Sequence, residues 1–164
     1  VRCGSATTLP WANASNTPFR LFKHFVHEGG VATPAIVSWP RQMKTRHIAH
    51  EPCHVQDIMP TLLDAAGVDH ERTREHSICI EHEGNSAIRR GPWKAVRKKS
   101  ESWELYNMDE DRTELNDLAA EHSTLLTQLI AEFDEWRTAN EVRDWPPGQW
   151  PSWMQSSGLR GDST

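Results

Sequence analysis

Four short runs, "SICIE" (77–81), "SAIRR" (86–90), "WKAVR" (93–97) and "WELYN" (103–107), succeed one another with turn residues between them. Gly91-Pro92 and Lys99-Ser100-Glu101 supply two of the turns, a spacing that predicts an antiparallel meander. A small sheet of this kind must bury at least one face. The cover predicted for it lies downstream, in "ELNDLAAEHSTLLTQLIAEFDEWRTAN". There Leu115 and Leu118 open an apolar stripe that Leu126, Leu129, Phe133 and Trp136 continue past the polar His122. The spacing predicts a helix over about 123–138 with its apolar face on the meander.

Upstream, "HVQDIMPTLLDAAG" places Val55, Ile58, Met59, Leu62 and Ala66 on one helical face, with Gly67 at the C-terminal stop and Pro60 as a kink or restart. "AIVSWP" (35–40) reads as a short buried strand. In "SNTPFRLFKHFV", Thr17 and Pro18 suit the start of a helix or helical turn bearing Lys23, which Gly29-Gly30 then stops. The opening "VRCGSATTLPWANASN" reads as loop from the middle of a longer chain, and the tail "DWPPGQWPSWMQSSGLRGDST" as irregular and disordered past Trp153.

Bulk properties exclude some classes of partner. The 164 residues carry a net charge of −5, so nothing resembles the basic footprint of a nucleic-acid binder. No apolar run approaches membrane-spanning length. Cys3, Cys53 and Cys79 are odd in number and widely spaced, which argues against a disulfide framework or zinc finger.

Candidate chemistry resides in four stretches. "KHFVHEGG" sets Lys23 and His24 among hydrophobes; a lysine there either snorkels to solvent or grips a tetrahedral oxyanion. "HIAHEPCH" (His47, His50, Cys53, His54) has some flavour of soft-metal spacing, but His54 reads better as the residue opening the next helix. In "CIEHEGN", Glu81 and Glu83 should share one strand face with His82 on the other, as solvated polarity. "NMDEDRTELND" lacks the glycine a calcium loop requires and reads as an acidic turn. Arg160-Gly161-Asp162 is short enough to be chance.

Taken in order, "WANASNTPFRLFKHFVHEGGVATPAIVSWP", "HVQDIMPTLLDAAG", "EHEGNSAIRRGPWKAVR" and "WELYNMDEDRTELNDLA" resemble the C-terminal third of sulfatases of the arylsulfatase type. The resemblance implies an α/β fold class: residues 1–70 as the C-terminal part of an alkaline-phosphatase-like α/β domain, 71–143 as a small α+β subdomain, and 144–164 as a tail. It implies a sulfate ester substrate, with Lys23 contacting the sulfate and His24 lining the pocket beside it, while Glu28 and Gly29-Gly30 shape the turn. It further implies Ca²⁺ and a formylglycine nucleophile, an N-terminal portion to complete the enzyme, and a periplasmic or secreted setting. The nucleophile's Cys-x-Pro-x-Arg context surrounds none of the three cysteines, and the calcium ligands belong to the family's upstream part. The isolated chain is therefore expected to be inactive. Between Gly67 and "EHEGN" it also looks shorter than the family pattern. Alternative readings are a non-catalytic remnant or binding module, a phosphate or phosphonate ester hydrolase on the same fold, and a free-standing metal hydrolase on the histidine cluster.

Overall fold

The computed structural model describes residues 8–69 and 77–145. Cys3, the link through 70–76 and the tail beyond 145, with its predicted disorder, lie outside them. All four strand-like runs form strands: β1 (Ser77–His82), β2 (Asn85–Arg90), β3 (Trp93–Arg97) and β4 (Glu104–Asn107). They pair antiparallel in the order β1-β2-β3-β4, with Ile80 opposite Ala87, Ala87 opposite Val96, and Ala95 opposite Leu105.

The side-chain period of two sorts the sheet into faces. Ile88, Ala95 and Leu105 point to one face, where Leu129 and Phe133 of a 17-residue helix join them in a single buried cluster. Leu125, Leu126 and Trp136 pack around that cluster. The helix, Ser123–Ala139, matches the predicted 123–138 to within a residue.

Ala87, Val96 and Tyr106 point the other way and are buried as well, against Val26 and Met108. The second cover is the "FKHFVHEGG" run, so the sheet sits between two layers. β4 is an edge strand, and the chain after it shields that edge: Asp117 Oδ1 accepts from the Leu105 N–H at 2.9 Å, and Leu118 N–H donates to Leu105 O at 2.8 Å.

Several expectations change upstream and in the connection before the long helix. Residues Thr8–Asn16 form a helix, α1, rather than loop; Pro10 falls in its first turn, where a missing N–H costs nothing. Residues 17–27 form turns instead of a helix, and the helical turn α2 (Glu28–Val31) begins only afterwards. Gly29 and Gly30 thus lie inside a helical turn and do not stop one. Their role is close approach: a Cβ at Gly29 would overlap the Arg20 and Leu21 carbonyl oxygens, and one at Gly30 the Phe25 carbonyl oxygen.

"AIVSWP" is not a strand, because no neighbouring strand offers it a ladder; Ile36 is 96% exposed. The predicted "HVQDIMPTLLDAAG" helix is present as a 3₁₀ turn (Val55–Asp57) running into α3 (Ile58–Ala66), ended by Gly67. Pro60 lies in the first turn of α3 and is accommodated without a break. Its apolar face is uncovered, however, with Val55, Ile58, Met59 and Leu62 all exposed. Leu115 is exposed too, since residues 109–118 wrap around Asp111 rather than extend the long helix, here α4.

Candidate functional site

The turn over 21–27 solves the problem of a cation among hydrophobes by geometry. Phe25 N–H bonds back to Phe22 O at 3.1 Å, and the two rings meet edge to face at 5.4 Å between centroids. Phe22, Phe25 and Val26 are buried, whereas Lys23 on the outside of the turn is exposed. Leu21 and His24 hold positive φ, +63° and +92°, the sharp reversals that permit this inside-outside sorting.

What keeps the turn in place is polar and buried. Lys94 of β3, only 2% exposed, sits between two carboxylates. Its Nζ is 2.9 Å from Glu28 Oε1, and 2.8 Å from Glu114 Oε1. Glu114 Oε2 accepts the Glu28 backbone N–H at 2.9 Å, which ties the start of α2 to the loop after β4. Burial alone would raise the Glu28 carboxyl; the Lys94 ammonium, with Arg89 and Arg112 beyond it, outweighs burial and holds it below the usual carboxylate range.

A second group lies alongside. Glu104 Oε2 accepts from Tyr106 Oη at 2.8 Å and faces His27 Nε2 at 3.1 Å, with Arg20 Nη1 at 3.5 Å. Burial would raise this carboxyl, but the hydrogen bonds from His27 and Tyr106, and the charges of His27 and Arg20, bring it down to about 2. Burial, then Glu104, pushes the Tyr106 phenol up, so it remains a donor.

The third group faces outward at the end of the β1–β2 hairpin. Glu83 and Gly84 form its two-residue turn, with φ of +55° and +86°. Glu83 is therefore not on a strand face with Glu81, contrary to the alternation expected of "CIEHEGN". The turn swings the Glu83 carboxylate to 2.7 Å from His24 Nδ1 and 3.9 Å from His82 Nε2. Glu81 Oε1 instead accepts the Gly84 N–H at 2.7 Å.

Asn85, 1% exposed, organises both histidines. Its Nδ2 donates to His24 O at 2.9 Å and to His82 O at 3.0 Å, and its Oδ1 accepts the Lys99 N–H at 3.1 Å. One buried amide thus fastens a loop 61 residues away in sequence to the hairpin end.

Of the residues singled out in sequence, Lys23 and His24 lie on this anchored turn, Lys23 exposed and His24 against Glu83. Among the described residues, His24, His82 and Glu83 form the only group of three or more potential metal ligands. His47, His50 and Cys53 do not gather: all three are exposed, and His54 caps the following turn, its Nδ1 accepting from Gln56 N–H while Asp57 Oδ2 accepts the His54 N–H. The acidic loop is a turn, as expected. Asp111 Oδ2 accepts the N–H groups of Leu115 and Asn116, both at 2.8 Å, which closes the turn. Calcium requires six to eight oxygens. The two imidazoles and one carboxylate of the hairpin cluster do not fit that requirement.

Cys79 is half-buried on β1, where burial and Glu132 push its thiol up to about 12, and Cys53 is exposed. A thiol raised this far is not primed as a nucleophile at Cys79. No helix among the described residues is long and apolar enough to cross a membrane.

The chain shares 33% identity over 151 residues with an uncharacterized sulfatase of Schizosaccharomyces pombe, an alignment covering 73% of this chain and 27% of that protein. It is 38% identical over 55 residues to the steryl-sulfatase of Mus musculus, covering 34% of this chain and 9% of that one. A solved structure, described as the crystal structure of Ps i-CgsB, aligns with a TM-score of 0.46 at 22% identity, covering 63% of this chain and 29% of that one. No family model matches. The chain spans about a quarter or less of the length of these curated relatives.

Proposed function

Taking as premise that this chain is a C-terminal portion of a sulfatase, we propose that it forms one wall of a site that hydrolyses sulfate monoesters. In this reading Lys23 contacts the ester oxygens and His24 lines the pocket beside it. The observation carrying it is the sorting at residues 22–26. Phe22, Phe25 and Val26 are buried, and the exposed Lys23 is held on a turn that buried ion pairs anchor.

A fixed ammonium is worth more to a developing oxyanion than a mobile one, because its orientation is settled before reaction. Lysine suits a tetrahedral anion, offering three donors around a compact charge. Charge on the leaving oxygen grows as the sulfur–oxygen bond breaks, so a cation there favours the transition state over the ester. The Cys-x-Pro-x-Arg setting of a formylglycine nucleophile is not present in the 164 residues, and the hairpin cluster does not suit calcium. This chain alone is accordingly proposed to be inactive, its part in catalysis limited to binding and charge stabilisation.

The test uses the protein extended upstream by its native coding sequence, assayed on an aryl sulfate and its matched phosphate ester. Sulfate should be the faster substrate. Lys23→Ala should lower kcat/KM on sulfate by about 10²–10³-fold, the scale of losing one oxyanion contact. Its melting temperature should stay unchanged, because the side chain is exposed. Equal rates in the variant and the parent would remove Lys23 from the site; absence of sulfate cleavage by the parent would remove the whole reading.

A further inference from the structure

We propose that His24, His82 and Glu83 form a binding site for a late first-row divalent cation, zinc being the best match, and that the ion clips the Lys23 turn to the β1–β2 hairpin. The inference rests on the geometry of three side chains and stands independently of sulfate chemistry.

The donor set comes first. Two imidazole nitrogens and one carboxylate oxygen suit zinc and its neighbours, whereas oxygen-only sets suit calcium and magnesium. One ligand atom from each residue lies within 4.8 Å of the others. Ligands around a tetrahedral zinc stand about 3.3 Å apart, given Zn–N bonds of about 2.0–2.1 Å. Closing the cluster thus takes a shift of an ångström or so, shared among three side chains. His24 and Glu83 are already in contact at 2.7 Å, so His82 has to move furthest. Its side chain is 53% exposed and has room to turn. On binding, the cation takes the place of the hydrogen bond between His24 Nδ1 and Glu83 Oε2; a neutral imidazole then carries its proton on Nε2, and an imidazolium gives one proton up to solvent.

Pre-organisation is the second support. Asn85 holds the His24 and His82 carbonyls, at 2.9 and 3.0 Å, from a fully buried position, so both rings start from fixed backbone. Glu83 belongs to a two-residue turn and cannot drift along a strand. The rings already lie 6.0 Å apart between centroids. Three protein ligands leave a fourth position for water, the arrangement of an accessible zinc site.

Calorimetric titration of the 164-residue chain with Zn²⁺ alone should show one equivalent bound at micromolar affinity or tighter. Co²⁺ in its place should give the visible absorption of a tetrahedral or five-coordinate ion. His82→Gln and Glu83→Gln should each weaken binding at least tenfold. Because His82 is largely exposed, its variant should keep the parent's circular dichroism and melting temperature without metal. The combined variant His47→Gln, His50→Gln, Cys53→Ser should bind as the parent does. No bound equivalent in the parent, an equivalent that survives His82→Gln, or one lost in the combined variant would each overturn the proposal.

Discussion

Glu104 shows how far one side chain can set the behaviour of its surroundings. In water a glutamate titrates near 4.5; here His27, Tyr106 and Arg20 bring it down to about 2. The group is more acidic folded than unfolded, so folding favours its ionised form. Its contribution is complete above about pH 4.5 and disappears as pH falls toward 2. Since its side chain keeps 23% exposure, the contribution is on the order of 2 kcal/mol, below what the full shift would imply. Glu28, likewise depressed, adds to the same trend. Urea midpoints measured between pH 7 and 2.5 should therefore decline on the acid side, and Glu104→Gln should be less stable at pH 7 with a shallower decline. An unchanged acid slope in that variant would dissociate the carboxylate from the effect. None of these partnerships was legible in sequence. Lys23 and His24 stood out because a cation among aromatics is conspicuous locally. His82 and Glu83 read as strand polarity, and their assembly around Asn85 depends on a turn with two positive φ values and on a loop 61 residues upstream.

Elements were easier to read where their periodicity is satisfied within the chain. The four strands and α4 come from alternation and from an i, i+3, i+4, i+7 stripe, signals set by burial against near neighbours. The second cover of the sheet was missed because residues 20–31 have no period: turns place Phe22, Phe25 and Val26 inward. Lys94 exposes the same limit. In "WKAVR" the alternation puts Lys94 on the face of Val96, which reads as solvent-facing until the other layer is known to lie there. Covering that face makes Lys94 a buried cation, stable only because Glu28 and Glu114 meet it. Replacing it by Met leaves two carboxylates buried without their cation. Breaking such a pair costs about 3–5 kcal/mol. We expect Lys94→Met to lower the urea midpoint accordingly. The triple change Lys94→Met, Glu28→Gln, Glu114→Gln should recover much of the loss, since the stranded charges go with it. If the triple variant is no more stable than the single, the cost lies in packing rather than charge.

At the scale of the whole molecule the described chain divides by how well it is covered. Residues 77–145 hold two buried clusters, one of which the 20–31 run joins through Val26, while residues 33–51 show neither helix nor strand and are exposed. Backbone without a ladder or apolar contacts opens at little cost, and proteases select such segments. Arg41, Lys44 and Arg46 are exposed within it, whereas Lys94 is sealed in the sheet. Trypsin at low ratio should therefore cut first between 41 and 46. The two pieces should not separate at once. The upstream piece retains Val26 against the sheet, together with the Glu28–Lys94 and His27–Glu104 contacts. At pH 7 it should co-elute with the downstream piece on size exclusion, with mass spectrometry identifying both. As the pH is lowered to 2 and below, protonation of Glu104, with Glu28 depressed in the same direction, weakens the charge half of that interface, and dissociation should follow. Separation already at pH 7 would mean that chain connectivity, rather than the buried contacts, holds the Lys23 turn on the sheet. The anchored cation at the centre of the proposed site would then lose its physical basis.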